Sequence, residues 1–170
     1  GSSARPLNLG ITNNDTGALS ADILADLKRR STFKVYEIEE GVIKDKILGM
    51  DIDAAIIIPE GYSESIYGGK PASIDVIAIK SQDTTVWVNQ MLNGYTDLLV
   101  KLSAASNGSR DVFDNMYKQY KEGLAKLTVI GLEDKLTGRN MTLTSMGFLL
   151  MLTMLGASLI NILILKEKRN

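Results

Sequence analysis

The stretch from Met141 to Leu165 reads MTLTSMGFLLMLTMLGASLINILIL, twenty-five residues without a charge, and Lys166, Glu167, Lys168 and Arg169 follow at once. A helix rising ~1.5 Å per residue would reach about 37 Å over this length, enough to cross a hydrocarbon core of about 30 Å with some tilt. Eight Leu, three Ile and one Phe contribute roughly −6 kcal/mol toward insertion at about −0.5 kcal/mol each, which outweighs the cost of Asn161 and the scattered hydroxyls. A buried core helix is usually shorter and keeps a polar stripe. The pattern therefore predicts a transmembrane helix over residues 141–165. Three of the four residues that follow are basic, so the positive-inside tendency makes 166–170 a cytoplasmic start and sets residues before about 140 outside.

What remains is long enough for one compact domain. Setting aside Lys166, Glu167, Lys168 and Arg169 leaves 16 basic and 19 acidic residues, a net of −3. No basic stripe interrupts this balance, which argues against nucleic acid as a partner. The chain has no Cys and no His, so a disulfide framework, a thiolate metal site and the commonest general base are all excluded. An external domain of this kind must be held by its own core. Gly1-Ser2-Ser3, together with Ala4, reads as a cleavage scar (residues 1–4), and no signal peptide is visible. A domain outside the membrane needs something upstream to start translocation, so the sequence is expected to be a fragment that lacks an earlier transmembrane helix.

Residues 5–82 alternate between strand and helix patterns. Leu7–Thr12 reads as a strand ended by the turn cluster Asn13-Asn14-Asp15-Thr16-Gly17, and Ser20 is placed to cap a helix carrying Ile23, Leu24 and Leu27. A second strand is expected at Phe33–Ile38, then a short helix over 39–48 with Val42, Ile43 and Ile47 inward and Gly49 at its end. Ala54–Ile58, a short unbroken apolar run before Pro59, suits a central strand buried on both faces. A brief helix at Tyr62–Tyr67 stops at Gly68-Gly69, and Ile74–Ile79 alternates as a fourth strand of undetermined direction. Such alternation implies an α/β fold, a small layered sheet of four to five mostly parallel strands with flanking helices. Right-handed crossovers place the first and third strands side by side and the second outside the first. Residues 83–140 continue the same domain as a helical pair and lead-in. Val88, Leu92, Tyr95, Leu99 and Leu102 mark one helix, Asn107-Gly108-Ser109 breaks it, and Phe113, Met116, Tyr120 and Leu124 mark the next. Leu127–Leu132 is a candidate fifth strand.

Without His or Cys the usual nucleophile and base pairs cannot be assembled; Ser-Lys pairs remain possible, but nothing in the sequence marks one. Asp51 and Asp53 lack the alternating oxygen ligands and closing Glu of a calcium loop, and no metal site is expected. Gly10 to Gly17 contains no GxGxxG, and Gly68-Gly69-Lys70 lacks the spacing of a phosphate-binding loop, so no cofactor is implied. In open α/β sheets, ligands settle beyond the carboxyl ends of strands at the switch point. Asn13, Asn14 and Asp15 after the first strand, with Pro59, Glu60 and Tyr62 after the third, would line such a crevice. Asn13 and Asp15 can equally serve the turn backbone. In the apolar stretch, Thr153, Ala157 and Asn161 recur every four residues with Gly156 alongside. That small and polar stripe suits close helix packing, and Asn161 could instead line a substrate path.

Taken in order, LGITNND before a helix, FKVYEIEE, KDKILGMDIDAAIIIPEGYSESIYGGKPASIDV and the apolar stretch itself resemble the external domain and second transmembrane helix of type-2 ABC exporter permeases. The resemblance covers nearly the whole chain, though only the order of the motifs is specific. It implies a partner cytoplasmic ATPase subunit, a second permease half, and a plasma-membrane location within the lipid bilayer. It also implies that Glu167, Lys168 and Arg169 begin the segment that touches the ATPase, and that this chain is itself not an enzyme. The exported molecule could be a drug, an antimicrobial peptide, a lipid or an ion. An alternative from another class is a membrane-tethered extracellular sensing or adhesion domain without transport activity. The related phage-receptor and secretion-accessory membrane proteins, whose external region is far longer, form a third.

Overall fold

The computed structural model describes the backbone of residues 5–78 and 82–129. The expected transmembrane helix, its lead-in from 130 onward and residues 1–4 lie outside the described residues. Among those described, no helix is long and apolar enough to cross a membrane.

Nine elements follow the sequence pattern: β1 (Leu7–Asn13), α1 (Ala18–Arg29), β2 (Phe33–Glu37), α2 (Ile43–Leu48), β3 (Ala54–Ile58), α3 (Tyr62–Tyr67), β4 (Asp75–Ala78), α4 (Gln82–Ser106) and α5 (Arg110–Val129). A 3-10 turn at Glu40–Val42 leads into α2. The strands form one mixed sheet in the order β2-β1-β3-β4. β1 pairs in parallel with β2 and with β3, as right-handed crossovers require, whereas β4 closes the sheet as an antiparallel edge on β3. Two of the three pairings are thus parallel, consistent with a mostly parallel sheet.

Residues through Gly108 form one compact unit. Within it the two faces of the sheet are covered unequally. Leu9, Ile11, Phe33, Ala54, Ile56 and Ile58 share one face by register and are buried. Against this face lie α1 and α4, with α3 packed on both. Phe33 meets Trp87 of α4 at 5.2 Å between ring centroids. The stripe read from the sequence of α4 turns inward, with Val88, Leu92, Leu98, Leu99 and Leu102 buried. On the other face, among the described residues, lies the two-turn helix α2, whose Ile43 and Ile47 pack with Ile52 and Ala55 and with the partly buried Tyr36, Ile38 and Ile57. The absence of a side chain at Gly10 allows this packing. A Cβ there would lie 2.5 Å from Ile38 Cδ1 and 2.9 Å from Ile52 Cδ1.

Three local expectations are corrected, while Gly49 ends α2 as expected, at its cap position. Ser20 does not cap α1, because the helix begins earlier, with Gly17 at the cap position and Ser20 buried in its first turn. Val42 does not point inward; it closes the 3-10 turn and is exposed. Gly49 ends α2 in the ordinary right-handed region, and the left-handed residue is Met50, at φ +60°. Leu127–Val129 belong to α5, so the fifth strand does not start there. The helical spacing of Phe113, Met116 and Leu124 simply continues through them.

The second unit begins at Ser109, and α5 is its described part. Ser109 caps this helix, its Oγ accepting from the Val112 amide at 3.4 Å. Phe113 and Tyr117, one turn apart, stack with centroids 6.0 Å apart.

Candidate functional site

The carboxyl ends of β1 and β3 are where the sequence places a ligand crevice. β1 ends in Asn13 and β3 in Ile58, and the Asn14 amide bonds the Ile58 carbonyl at 3.0 Å. From there the chain enters α1 and α3, which pack on the same face of the sheet.

A polar junction fills the space between these two helices. Asp15 is its hub. One carboxylate oxygen, Oδ2, accepts from Ser63 Oγ at 2.5 Å, from the Ser63 amide at 3.3 Å and from the Gly17 amide at 3.2 Å. Ser63 Oγ in turn accepts from the Ser20 amide at 3.4 Å. A side chain of α3 thus satisfies an orphan donor in the first turn of α1, the task that sequence reasoning gave to Ser20 itself. Asn13 completes the arrangement: its Oδ1 accepts from the Asp15 amide at 3.0 Å, and its Nδ2 donates to Ser20 Oγ at 3.3 Å. The first of these is an Asx-turn, the reading that competed with ligand binding. Gly17 is obligatory here for space rather than for dihedral freedom. A Cβ on it would lie 2.2 Å from Ser63 Oγ.

The electrostatics follow from this geometry. Burial pushes the Asp15 carboxyl up, but the Ser63 and Ser20 hydroxyls and the Gly17 and Ser63 amides outweigh it, so its pKa falls below the ordinary value. Tyr62 lies beside this charge yet faces the other way. It is fully buried, and its hydroxyl is 2.9 Å from Thr96 Oγ1 of α4. Burial raises its pKa, the Thr96 bond partly offsets this, and the Asp15 charge adds to the rise.

Of the residues expected to line the crevice, Asn13 and Asp15 are brought together, with Asn13 Oδ1 and Nδ2 and Asp15 Oδ2 hydrogen-bonded within the protein. Asn14 and Glu60 are exposed at the same end. Glu60 precedes Gly61, whose φ of +73° turns the chain into α3. The open concavity lies on the other side of β1. An open depression of about 460 Å³ is lined by Ile11, Thr12, Asn13 and Asn14 of β1 and its loop, and by Glu37, Ile38, Glu39 and Glu40 following β2. Thr12 Oγ1 donates to the Ile38 carbonyl at 2.8 Å and fixes its floor. Glu37, Glu39 and Glu40 form its rim beside Asn13 and Asn14, Glu37 being paired with Lys28 of α1 at 3.2 Å. Among the described residues, no group of three or more acidic side chains is placed to hold a metal ion. Sequence reasoning missed these glutamates because they read as a strand end and a helix start. Only the β1–β2 pairing brings them beside Asn13. Ser63 was missed as well, although its position one residue after Tyr62 placed it at the switch point.

Thr153, Gly156, Ala157, Asn161, Glu167, Lys168 and Arg169 lie outside the described residues.

A family model described as "ABC-2 family transporter protein" matches residues 1–170. Among curated proteins none matches the chain. A solved structure, titled as a domain assigned to an ABC type-2 transporter from Thermotoga maritima MSB8, is similar at 17% identity with a TM-score of 0.40, over 54% of this chain and 65% of that one. That likeness spans a little under two thirds of the solved chain.

Proposed function

Because the chain belongs to the ABC-2 family of transporter proteins, we propose that it supplies the external domain and one membrane-crossing helix of an exporter permease. In this reading ATP is hydrolysed by a separate cytoplasmic subunit, and a second permease half completes the transporter. The observation that carries it is the family match over the full 170 residues, which takes in both the α/β unit and the uncharged stretch Met141–Leu165.

The proposal gives each region a task. Residues 5–140 stand outside, 141–165 cross the bilayer, and 166–170 begin the cytoplasmic segment. Thr153, Gly156, Ala157 and Asn161 face neighbouring helices of the permease, where small side chains permit close approach and Asn161 finds a polar partner. Glu167, Lys168 and Arg169 start the surface that meets the ATPase. At the sheet, the Asp15 junction locks α1 to α3. Contacts to an exported molecule then fall to the exposed Asn14 and Glu60 and to the glutamate-rimmed depression beside β1. An anionic concavity of this kind favours cationic cargo over anionic cargo.

Topology tests the reading directly. The chain has no cysteine, so single cysteines report without background. Thr16→Cys should react with a membrane-impermeant maleimide on intact cells, and Lys168→Cys only after permeabilisation. The reverse pattern sinks the orientation. Calorimetric titration of the chain with ATP should release no binding heat; clear saturable heat would remove the assignment of hydrolysis to a partner.

A further inference from the structure

The dipeptide Asn-Gly occurs twice in the chain, at Asn93-Gly94 and at Asn107-Gly108. Both pairs belong to the first unit, and all four residues are exposed. Neither glycine is crowded: a Cβ on Gly94 or on Gly108 would meet nothing within 4 Å. What separates the two pairs is the backbone. Asn93 and Gly94 lie midway along α4, where the helix commits each amide to the carbonyl four residues back. Asn107 and Gly108 form the turn that follows this helix, and both are left-handed, at φ +50° and +80°. Two successive left-handed positions favour Asn and Gly, the residues that take that conformation at least cost. The turn thus selects a side chain and a following amide that can react with each other.

The reaction needs only water. The Gly108 nitrogen gives its proton to solvent base and attacks Asn107 Cγ. A C–N bond forms there, the bond from Cγ to Nδ2 breaks, and Nδ2 leaves with a proton as ammonia. Water then opens the cyclic imide. Addition at Cγ restores the original main chain with an aspartate. Addition at the Asn107 backbone carbonyl carbon breaks its bond to the Gly108 nitrogen instead, and the main chain now runs through the side chain of an isoaspartate. A glycine at the attacking nitrogen hinders closure least, because no Cβ stands beside it.

Hydrogen bonding leaves this route open at 107 and closes it at 93. Among the described residues, no hydrogen bond reaches the Asn107 side chain or the Gly108 amide. The turn's own bond, from the Asn107 amide to the Ala104 carbonyl, is long at 3.3 Å. At Gly94, closure would pull an amide out of the ladder inside a 25-residue helix.

We propose that Asn107 is a site of spontaneous deamidation in the folded protein, while α4 protects Asn93 in the same dipeptide. The product adds a carboxylate and, as isoaspartate, one further carbon to the main chain between α4 and α5. The chemistry is independent of the transport reading.

The test incubates the full chain in detergent at mildly alkaline pH in heavy-oxygen water, so that only conversion during the incubation carries the label. Mass spectrometry of the digested peptides then follows both positions, and electron-transfer fragmentation tells isoaspartate from aspartate. Position 107 should convert roughly ten-fold faster than 93 or more, since reaction at 93 waits on local opening of the helix. In urea that unfolds α4 the two rates should converge. Equal rates in the folded chain, faster conversion at 93, or conversion at neither position overturns the proposal. So does a preference for 107 undiminished in urea, because the following residues, Tyr95 and Ser109, would then set the rates in place of the fold. Gly108→Ala should slow conversion at 107 several-fold and leave 93 unchanged. An unchanged rate at 107 in that variant overturns closure through the Gly108 nitrogen.

Discussion

Two aspartates tie β1 to β3 at opposite ends of the sheet, and they do so by different physics. Asp15, at the carboxyl end, collects the Ser63 hydroxyl and two amides on one oxygen, and all its donors are uncharged. Asp53, at the amino end, accepts from the Asn8 amide at 2.8 Å and from the Arg5 guanidinium at 2.8 Å, while its own amide bonds the Asn8 carbonyl at 2.7 Å. The Arg5 side chain is 70% exposed. Neutral donors in a filled junction lose little to salt, whereas an exposed ion pair is screened and must also hold a long side chain still. The carboxyl end is therefore a structural lock. The amino end is closed more loosely, by an ion pair open to solvent.

The sharpest way to break that contrast is to force the lock open. Gly17→Ala places a methyl on Ser63, and the displaced hydroxyl deserts both Asp15 and the Ser20 amide. Overpacking together with lost buried hydrogen bonds should cost about 3 kcal/mol. Urea unfolding can be followed by the fluorescence of Trp87, the single tryptophan of the chain, which stacks near Phe33. A loss no larger than that of an exposed Gly→Ala change would show that α1 and α3 are held by apolar packing alone.

Asp15→Asn should come next, at about 2 kcal/mol for an ionised acceptor of several bonds. It also carries a pH signature. The folded-state pKa of Asp15 lies below its ordinary value, so the stability it contributes is present above the unfolded pKa of ~3.9 and is lost as pH falls through the folded one. The parent protein should lose stability below about pH 4 more steeply than Asp15→Asn does. Equal acid slopes would place the acid-sensitive group elsewhere.

This junction also shows how far the sequence could be read. The strand order β2-β1-β3 was legible because crossover handedness depends only on the alternation of elements. The direction of β4 was not, since Val76 and Ala78 alternate against Asp75 and Ile77 identically in either sense. Asn13 and Asp15 were legible as turn residues or as ligands, but the partner that Asp15 finds, Ser63, stands forty-eight positions further along the chain. Tyr62 seemed to belong to the crevice because it follows β3 closely. A two-turn helix can bury only one side, however, and Tyr62, Ser63 and Ile66 occupy it. Leu48 and Met50 looked like ordinary residues around a helix-ending glycine. Nothing in their spacing announces that the left-handed dihedral falls on the methionine instead.

At the amino end, Arg5→Ala should cost only about 0.5 kcal/mol, and the difference should vanish in concentrated salt. A larger, salt-independent loss would make Asp53 a lock of the same kind as Asp15 and erase the contrast between the ends. An effect of similar size has the opposite sign. Met50→Gly relieves the left-handed strain of a residue that is 70% exposed, at the expense of glycine's greater freedom in the unfolded chain, and should leave the protein more stable by roughly 0.5 kcal/mol. Should Met50→Gly destabilise instead, the methionine makes contacts within the protein that outweigh the strain of its backbone.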